Sequence, residues 1–305
     1  MTTGNNLSVK LGRLEFANPV IAASGTFGYG LEYLPFVDLD LLGGFSTKGL
    51  SLKPRMGNPV PRMVETASGM LNAIGLENIG LEKFVNEKLP LLENYKTRIL
   101  VNFFGDTKEE YIEMAARLSD VERVDALEMN ISCPNVEEGG VQFSSDPAVV
   151  RSLVEAVRQA TKKFLIVKLS PNVTDITEIA RAAEDGGADA LSLINTAIGM
   201  SIDLETRKPY LANKTGGLSG PAIKPIALYM VHQTVRAVKI PVIGMGGIST
   251  TEDALEFLSA GATAIQIGTA NFIDPGITIK VINGIRKYCE AHAIQKVSDL
   301  KLIED

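Results

Sequence analysis

The chain has 305 residues, 36 acidic and 30 basic, for a formal charge of −6. Apolar residues make up 45% and charged residues 22%, the balance of a globular protein rather than a disordered one. The acidic balance argues against a nucleic-acid partner, no apolar run reaches the ~18 residues of a membrane span, and the first residues carry no charged-then-apolar leader.

The segment Leu7 to Phe16 alternates apolar and polar around Gly12, which predicts a small hairpin. Eight short apolar runs follow: Pro19–Ala23, Leu42–Thr47, Arg98–Phe103, Ala126–Ile131, Phe164–Leu169, Ala188–Ile194, Pro241–Met245 and Ala262–Ile267. Most are too continuous for half-exposed strands and read as buried parallel strands. Helix signals separate most of them. Asp146-Pro147 places a cap before a first-turn proline, and Val149, Val150, Leu153 and Val157 follow at helical spacing. Thr174 opens a helix that Gly186-Gly187 ends. Ser249 with Glu252, and Thr107 with Glu110, have the spacing of capping boxes.

Eight strand-then-helix units predict an α/β fold, a single (β/α)8 barrel over residues 1–305, with an N-terminal β-hairpin and long active-site loops. Such barrels take about 250 residues. The surplus falls in the hairpin and in two excursions, Leu50 to Gly80 and Ala197 to Pro221. A doubly wound sheet is the competing architecture, but no GxGxxG turn follows the first strand.

Chemistry in a barrel sits where strands end. Those positions hold Ser24, Lys48-Gly49, Asn102, Asn130, Lys168, Asn195-Thr196, Gly246-Gly247 and Gly268-Thr269. Asn, Ser and Gly also favour ordinary turns, yet two lysines and three asparagines on one rim suggest a polar ligand. Glycines after the last two strands suit a phosphate held by backbone N–H groups, as in a flavin mononucleotide or a sugar phosphate.

After the fourth strand comes Asn130-Ile-Ser-Cys-Pro-Asn135. Cys133 lies in a polar loop, a setting for a base or nucleophile rather than for a small core residue. Glu137-Glu138 read as solvated, and Gly139 and Gly140 as pivots of a lid. Lys168 is compatible with a Schiff base, as in an aldolase, or with a fixed charge beside an anionic ligand. Cys289 and His232 fall in helical stretches and read as structural. With two separated cysteines, no CxxC and only two histidines, no metal site is expected, and a reduced cytoplasmic setting is.

The ordered set Ala23-Ser-Gly-Thr-Phe, Ser46-Thr-Lys-Gly, Asn72-x-x-Gly-Leu-x-Asn78, Asn130-x-Ser-Cys-Pro-Asn135, Val167-Lys-Leu-Ser-Pro-Asn172, Ile194-Asn-Thr, Gly216-Gly-Leu-Ser-Gly-Pro221, Gly244-x-Gly-Gly-Ile and Ile267-Gly-Thr resembles the dihydroorotate dehydrogenase family. These are flavoproteins of pyrimidine synthesis. The resemblance implies bound FMN and oxidation of (S)-dihydroorotate to orotate. A base removes the C5 proton while a hydride leaves C6 for the flavin, and Cys133 matches that base.

By position, the resemblance assigns FMN contacts to Ser24, Lys48, Gly49, Asn102, Asn130, Lys168, Ile194, Gly220, Gly246, Gly247, Gly268 and Thr269. It assigns the substrate to Lys48, Asn72, Ile74, Gly75, Leu76, Asn130, Asn135, Asn195 and Thr196. The segment Ala197-Ile-Gly-Met-Ser-Ile-Asp-Leu-Glu-Thr-Arg-Lys-Pro-Tyr is similar to the class 1B branch. There a homodimer of catalytic chains sits in a heterotetramer with a subunit carrying FAD and a [2Fe–2S] cluster, and NAD is the final acceptor. The fumarate-using class 1A and related dihydropyrimidine-oxidising flavoproteins are the alternatives within this chemistry. An aldolase built on Lys168 and a non-catalytic flavin-binding barrel are the alternatives outside it.

Overall fold

Residues 7–132 and 145–302 are described by the computed structural model. Strands β1 (Val9–Leu11) and β2 (Leu14–Phe16) form the predicted hairpin, turning at Gly12-Arg13. Gly12 has φ +53, and a Cβ there would press on the Phe164 ring at 3.2 Å. The turn therefore needs glycine both for its backbone and for its packing. Leu7, Val9, Leu11 and Phe16 are buried beneath it.

The chain continues through β3 (Val20–Ala22), β4 (Gly44–Ser46), β5 (Met63–Thr66), β6 (Gly69–Asn72), β7 (Arg98–Phe103), β8 (Ala126–Asn130) and β9 (Phe164–Lys168). Next come β10 (Ala190–Leu193), β11 (Ala197–Met200), β12 (Ile202–Asp203), β13 (Lys208–Pro209), β14 (Thr215–Ser219), β15 (Val242–Met245) and β16 (Ala264–Ile267). Eight of these, β3, β4, β7, β8, β9, β10, β15 and β16, close into a parallel barrel in that order. They fall within the eight apolar runs. Strand β9 is buried along its whole length, as a strand covered on both faces must be.

The helices are α1 (Leu81–Lys83), α2 (Lys108–Ser119), α3 (Pro147–Ala160), α4 (Ile176–Asp185), α5 (Lys224–Ala237), α6 (Thr251–Ser259), α7 (Ala270–Ile273) and α8 (Ile277–Ala291). Asp146 caps α3 as predicted, accepting from the N–H groups of Ala148 and Val149. Three caps differ from the sequence reading. Asp175, one residue after Thr174, caps α4 by accepting from Thr177 N–H. The capping box of α6 is Thr250 with Asp253, each one residue beyond Ser249 and Glu252. Asp253 also takes Lys224 Nζ at 2.7 Å, and that ion pair selects it over its neighbour. At α2, Thr107 accepts from Glu110 N–H, but the Glu110 carboxylate reaches Asp106 N–H, so only half the box forms.

The first crossover also departs from a regular unit. Between β3 and β4 the chain makes only two 3-10 turns, Leu31–Tyr33 and Leu39–Leu41. Gly28 and Gly30 at φ +57 and +92, with Pro35 close behind, break helical continuity there.

The two excursions meet. Hairpin β5–β6 from the first and strands β11 and β14 from the second form one antiparallel sheet, ordered β11-β14-β6-β5. Leu71 pairs with Leu218 and Asn72 with Gly217. A Cβ on Gly216 would come within 2.7 Å of the Asn72 carbonyl oxygen, and one on Gly69 would collide with that of Ser219. Glycine lets the strands approach, and the sheet stands beside the strand ends of the barrel. No helix among the described residues is long and apolar enough to cross a membrane.

Candidate active site

The C-terminal strand ends and the excursion sheet enclose a cavity of about 810 Å³, within the range of small-molecule sites. Every barrel strand contributes to its wall or to the turn just beyond. Ser24, Lys48, Gly49, Asn102, Asn130, Lys168, Ile194, Asn195, Thr196, Gly246, Gly247, Gly268 and Thr269 line it. So do Asn72, Ile74, Gly75, Leu76 and Gly220 from the excursions. The structure thus brings together every candidate that falls among the described residues. Cys133 and Asn135, with the lid positions Glu137, Glu138, Gly139 and Gly140, lie outside them. Cys289 is buried in α8, where burial pushes its thiol up.

The polar groups on the wall hold each other in place. Asn130 Oδ1 accepts from Ser132 N–H at 3.1 Å and from Asn195 Nδ2 at 3.4 Å. Tyr111 Oη donates to the Asn130 carbonyl at 2.7 Å, which fixes the strand end just before Cys133. Asn72 Nδ2 donates to the Gly217 carbonyl across the sheet at 3.3 Å. Thr269 Oγ1 donates to Ser219 Oγ at 2.8 Å, tying the turn after β16 to the second excursion.

Two cations face this space. Burial pushes the Lys48 amine below its ordinary value, against the pull of Glu77, with Arg62 adding to the downward push. Arg62 and Glu77 pair at 2.5 Å and also line the cavity. Lys168, almost fully buried, stands at the end of β9 beside Asn130. Among the described residues neither Lys48 nor Lys168 has a carboxylate within ion-pair distance. At Lys48 an anionic ligand would supply the missing charge, whereas Lys168 acts electrostatically on the buried carboxylate of Glu128.

The sequence reading missed the floor of the cavity. Glu128, in the middle of β8, is fully buried on the barrel axis. Ser46 Oγ and Asn102 Nδ2 donate to its Oε2 at 2.6 and 2.7 Å. Ser192 Oγ and Gln266 Nε2 donate to its Oε1 at 2.9 and 2.7 Å. Burial alone would raise this carboxyl. The charge of Lys168 and the hydrogen bonds of Ser46, Asn102 and Gln266 outweigh burial and hold it below the usual carboxylate range. The available signal was a lone polar residue inside each of two apolar strands, Ala126-Leu-Glu-Met and Ala264-Ile-Gln-Ile. Arg62 and Glu77, in the first excursion, carried no comparable signal.

The wall fits FMN. Gly268 has ordinary backbone angles, and a Cβ there would meet nothing closer than Ala23 Cβ at 3.7 Å. What this glycine leaves open is therefore cavity space beside the turn, where a phosphate or ring can approach the backbone. Gln266 Oε1 is buried without a hydrogen-bond partner among the described residues, an acceptor available to a ring N–H. Also among the described residues, no cluster of three His, Cys, Asp or Glu side chains is placed to hold a metal.

Fold and cavity together define a ligand-binding (β/α)8 barrel whose chemistry sits at the strand ends. The family model for dihydroorotate dehydrogenase matches residues 6–289, and the chain belongs to that family. It is 59% identical to "Dihydroorotate dehydrogenase B (NAD(+)), catalytic subunit" of Pelobacter propionicus over 295 residues, 97% of each chain. The proteins of that name from Geobacter sulfurreducens and Bacteroides fragilis are 58% and 55% identical, again over 97% of each chain. A solved structure titled "Crystal structure of DHODH in complex with ferulenol from Eimeria tenella" superposes with a TM-score of 0.81. The match covers 98% of this chain and 89% of that one at 24% identity, and it supports the fold alone. The closed barrel sets aside the doubly wound sheet, and the family assignment sets aside the aldolase reading of Lys168.

Proposed function

We propose that this chain is the catalytic subunit of a class 1B dihydroorotate dehydrogenase, oxidising (S)-dihydroorotate to orotate with FMN. The family match over residues 6–289 carries this reading. The relatives named NAD(+)-linked catalytic subunits, at 55–59% identity, favour NAD as final acceptor over the fumarate of class 1A. The whole chain, 1–305, acts as one catalytic domain in a cytoplasmic setting.

FMN supplies the hydride acceptor. Ser24, Gly49, Asn102, Ile194, Gly220, Gly246, Gly247, Gly268 and Thr269 hold it, and Lys168 offsets its negative charge. Lys48 lies between cofactor and substrate. Asn72, Asn130, Asn135, Asn195 and Thr196, with the backbone of Ile74, Gly75 and Leu76, hold the substrate. Orotate is a planar anion with amide edges. Asparagines that both donate and accept suit those edges, and a lysine suits the carboxylate. Cys133 Sγ takes the C5 proton. A thiol of ordinary pKa, about 8.5, is only a few per cent ionised at neutral pH, so flavin reduction should speed up from pH 7 to 9.

The partner reading is a homodimer within a heterotetramer with an FAD and [2Fe–2S] subunit. The exposed apolar side chains Ile198, Met200, Ile202 and Leu204 support a protein-covered surface on the second excursion. Co-expression with such a subunit should yield a complex that reduces NAD with dihydroorotate. A chain that turns over only with fumarate would remove the class 1B assignment.

The deciding measurement mixes the FMN-loaded chain with dihydroorotate without oxygen and follows the flavin absorbance. The parent should bleach rapidly. Cys133→Ala should bleach about 10²- to 10⁴-fold more slowly, the usual worth of a positioned base. Equal rates in both would remove Cys133 from the chemistry, and a parent that stays oxidised would remove the substrate.

A further inference from the structure

Glu128 is absent from the cavity wall yet grips it from below. Its two oxygens accept four hydrogen bonds, from β4, β7, β10 and β16. That fills the acceptor capacity of an ionised carboxylate. Two of the donors, Asn102 and Gln266, line the cavity, as does Lys168.

A carboxylate only accepts. Each of the two amides must therefore turn its NH2 group toward Glu128 and its oxygen away. Gln266 Oε1 is left without a partner among the described residues, and Asn102 Oδ1 is left close to Gly49 on the wall. We propose that Glu128 is a positioning residue for the flavin: as a buried anion it fixes the amide faces of Asn102 and Gln266 and balances the charge of Lys168. This rests on FMN being held in this cavity.

The consequence is electrostatic. Two-electron reduction of FMN with uptake of one proton adds one negative charge to the bound cofactor. A carboxylate beneath Lys168 cancels part of the positive field that would favour that charge. Glu128 thus keeps the flavin a better electron donor than Lys168 alone would allow.

The test measures the midpoint potential and FMN dissociation constant of the parent, Glu128→Gln, Glu128→Asp and Lys168→Met, with thermal melting of each apo chain. Glu128→Gln removes the charge at nearly constant shape. It should favour the reduced flavin about tenfold more than the parent does, an upward shift of about 30 mV for a two-electron couple. Lys168→Met should move the potential the other way. Glu128→Asp keeps the charge but loses reach, so FMN should bind about tenfold more weakly at a nearly parental potential.

An unmoved potential in folded Glu128→Gln, with Lys168→Met shifted, overturns the role of Glu128 alone. If Lys168→Met changes neither potential nor affinity, FMN is elsewhere and the proposal falls with its placement. Should Glu128→Gln fail to fold, Glu128→Asp decides: an unchanged FMN affinity overturns the proposal.

Discussion

The two ends of the barrel use their polar side chains in opposite ways. At the N-terminal end, charges face one another and the backbone. Asp125 accepts from Arg98 Nη1, Arg123 Nη1 and Ile99 N–H at 2.7, 3.0 and 2.9 Å. Arg123 also donates to the carbonyls of Leu92, Tyr95 and Thr97. Asp189 takes Arg158 Nη1 and Leu165 N–H, and Lys163 Nζ donates to the carbonyls of Val121 and Val124. At the C-terminal end Lys48, Lys168 and a ring of asparagines face an open cavity. A group satisfied within the chain stabilises the fold. A group left facing a cavity is available to a ligand, and the fold tolerates its exposure for that reason.

The contrast breaks most sharply at Asp125. Replacing it by Ala leaves two partly buried guanidinium groups and the Ile99 N–H without their acceptor. Losing one partner of such a network should cost about 3 kcal/mol of stability. Urea denaturation reads the loss. FMN affinity and the rate of flavin reduction should stay at parental values, and a fall in either at full occupancy would mean that the two ends are coupled.

Gly268→Ala gives the converse. The backbone there is ordinary and the new methyl meets no protein atom within 3.7 Å, so apo stability should change by less than about 0.5 kcal/mol. The methyl enters space assigned to FMN. Overfilling a fitted site by one carbon costs about 2 kcal/mol, roughly a 30-fold weaker dissociation constant. Fluorescence titration of the apo chain with FMN measures it. Parental affinity would show that the ligand does not approach this turn.

The same division explains what could be read from the sequence. Continuous apolar runs such as Phe164–Leu169 mark strands buried on both faces, so all eight barrel strands were visible. Strand-end residues were visible because a barrel displays them in order. The excursion sheet was not. Gly69–Asn72 and Thr215–Ser219 are short, glycine-bearing strands, and their pairing joins residues such as Leu71 and Leu218 that are far apart in the chain. Nothing local encodes that pairing. Cap positions slipped by one residue where acceptors stand side by side, as in Ser249-Thr250-Thr251. There tertiary partners such as Lys224 make the choice. Glu128 stayed hidden because its four donors come from four other strands, which only barrel closure assembles.

Glu128 also places one structural anion on the ligand side of the contrast, and its acid titration gives the smallest effect. Its folded carboxyl lies below the usual range, because Lys168 and its hydrogen-bond donors outweigh burial. A carboxyl with a lowered folded pKa contributes stability that is fully present above the unfolded value, about 4.3. That contribution is lost as pH falls through the lower folded value, since the unfolded state then binds more protons than the native one. Glu128→Gln has no such group, and its amide turns one donor against the other donors of the floor. At pH 7 the parent should be the more stable by about 1–3 kcal/mol. The gap should then narrow as pH falls below about 4.3, while all other carboxyls titrate alike in both chains. Paired urea midpoints across that range measure it. A gap that instead widens as pH falls toward about 4.3 and is flat below it would mean that Glu128 is already protonated in the folded chain, with Lys168 left unbalanced beneath the ligand.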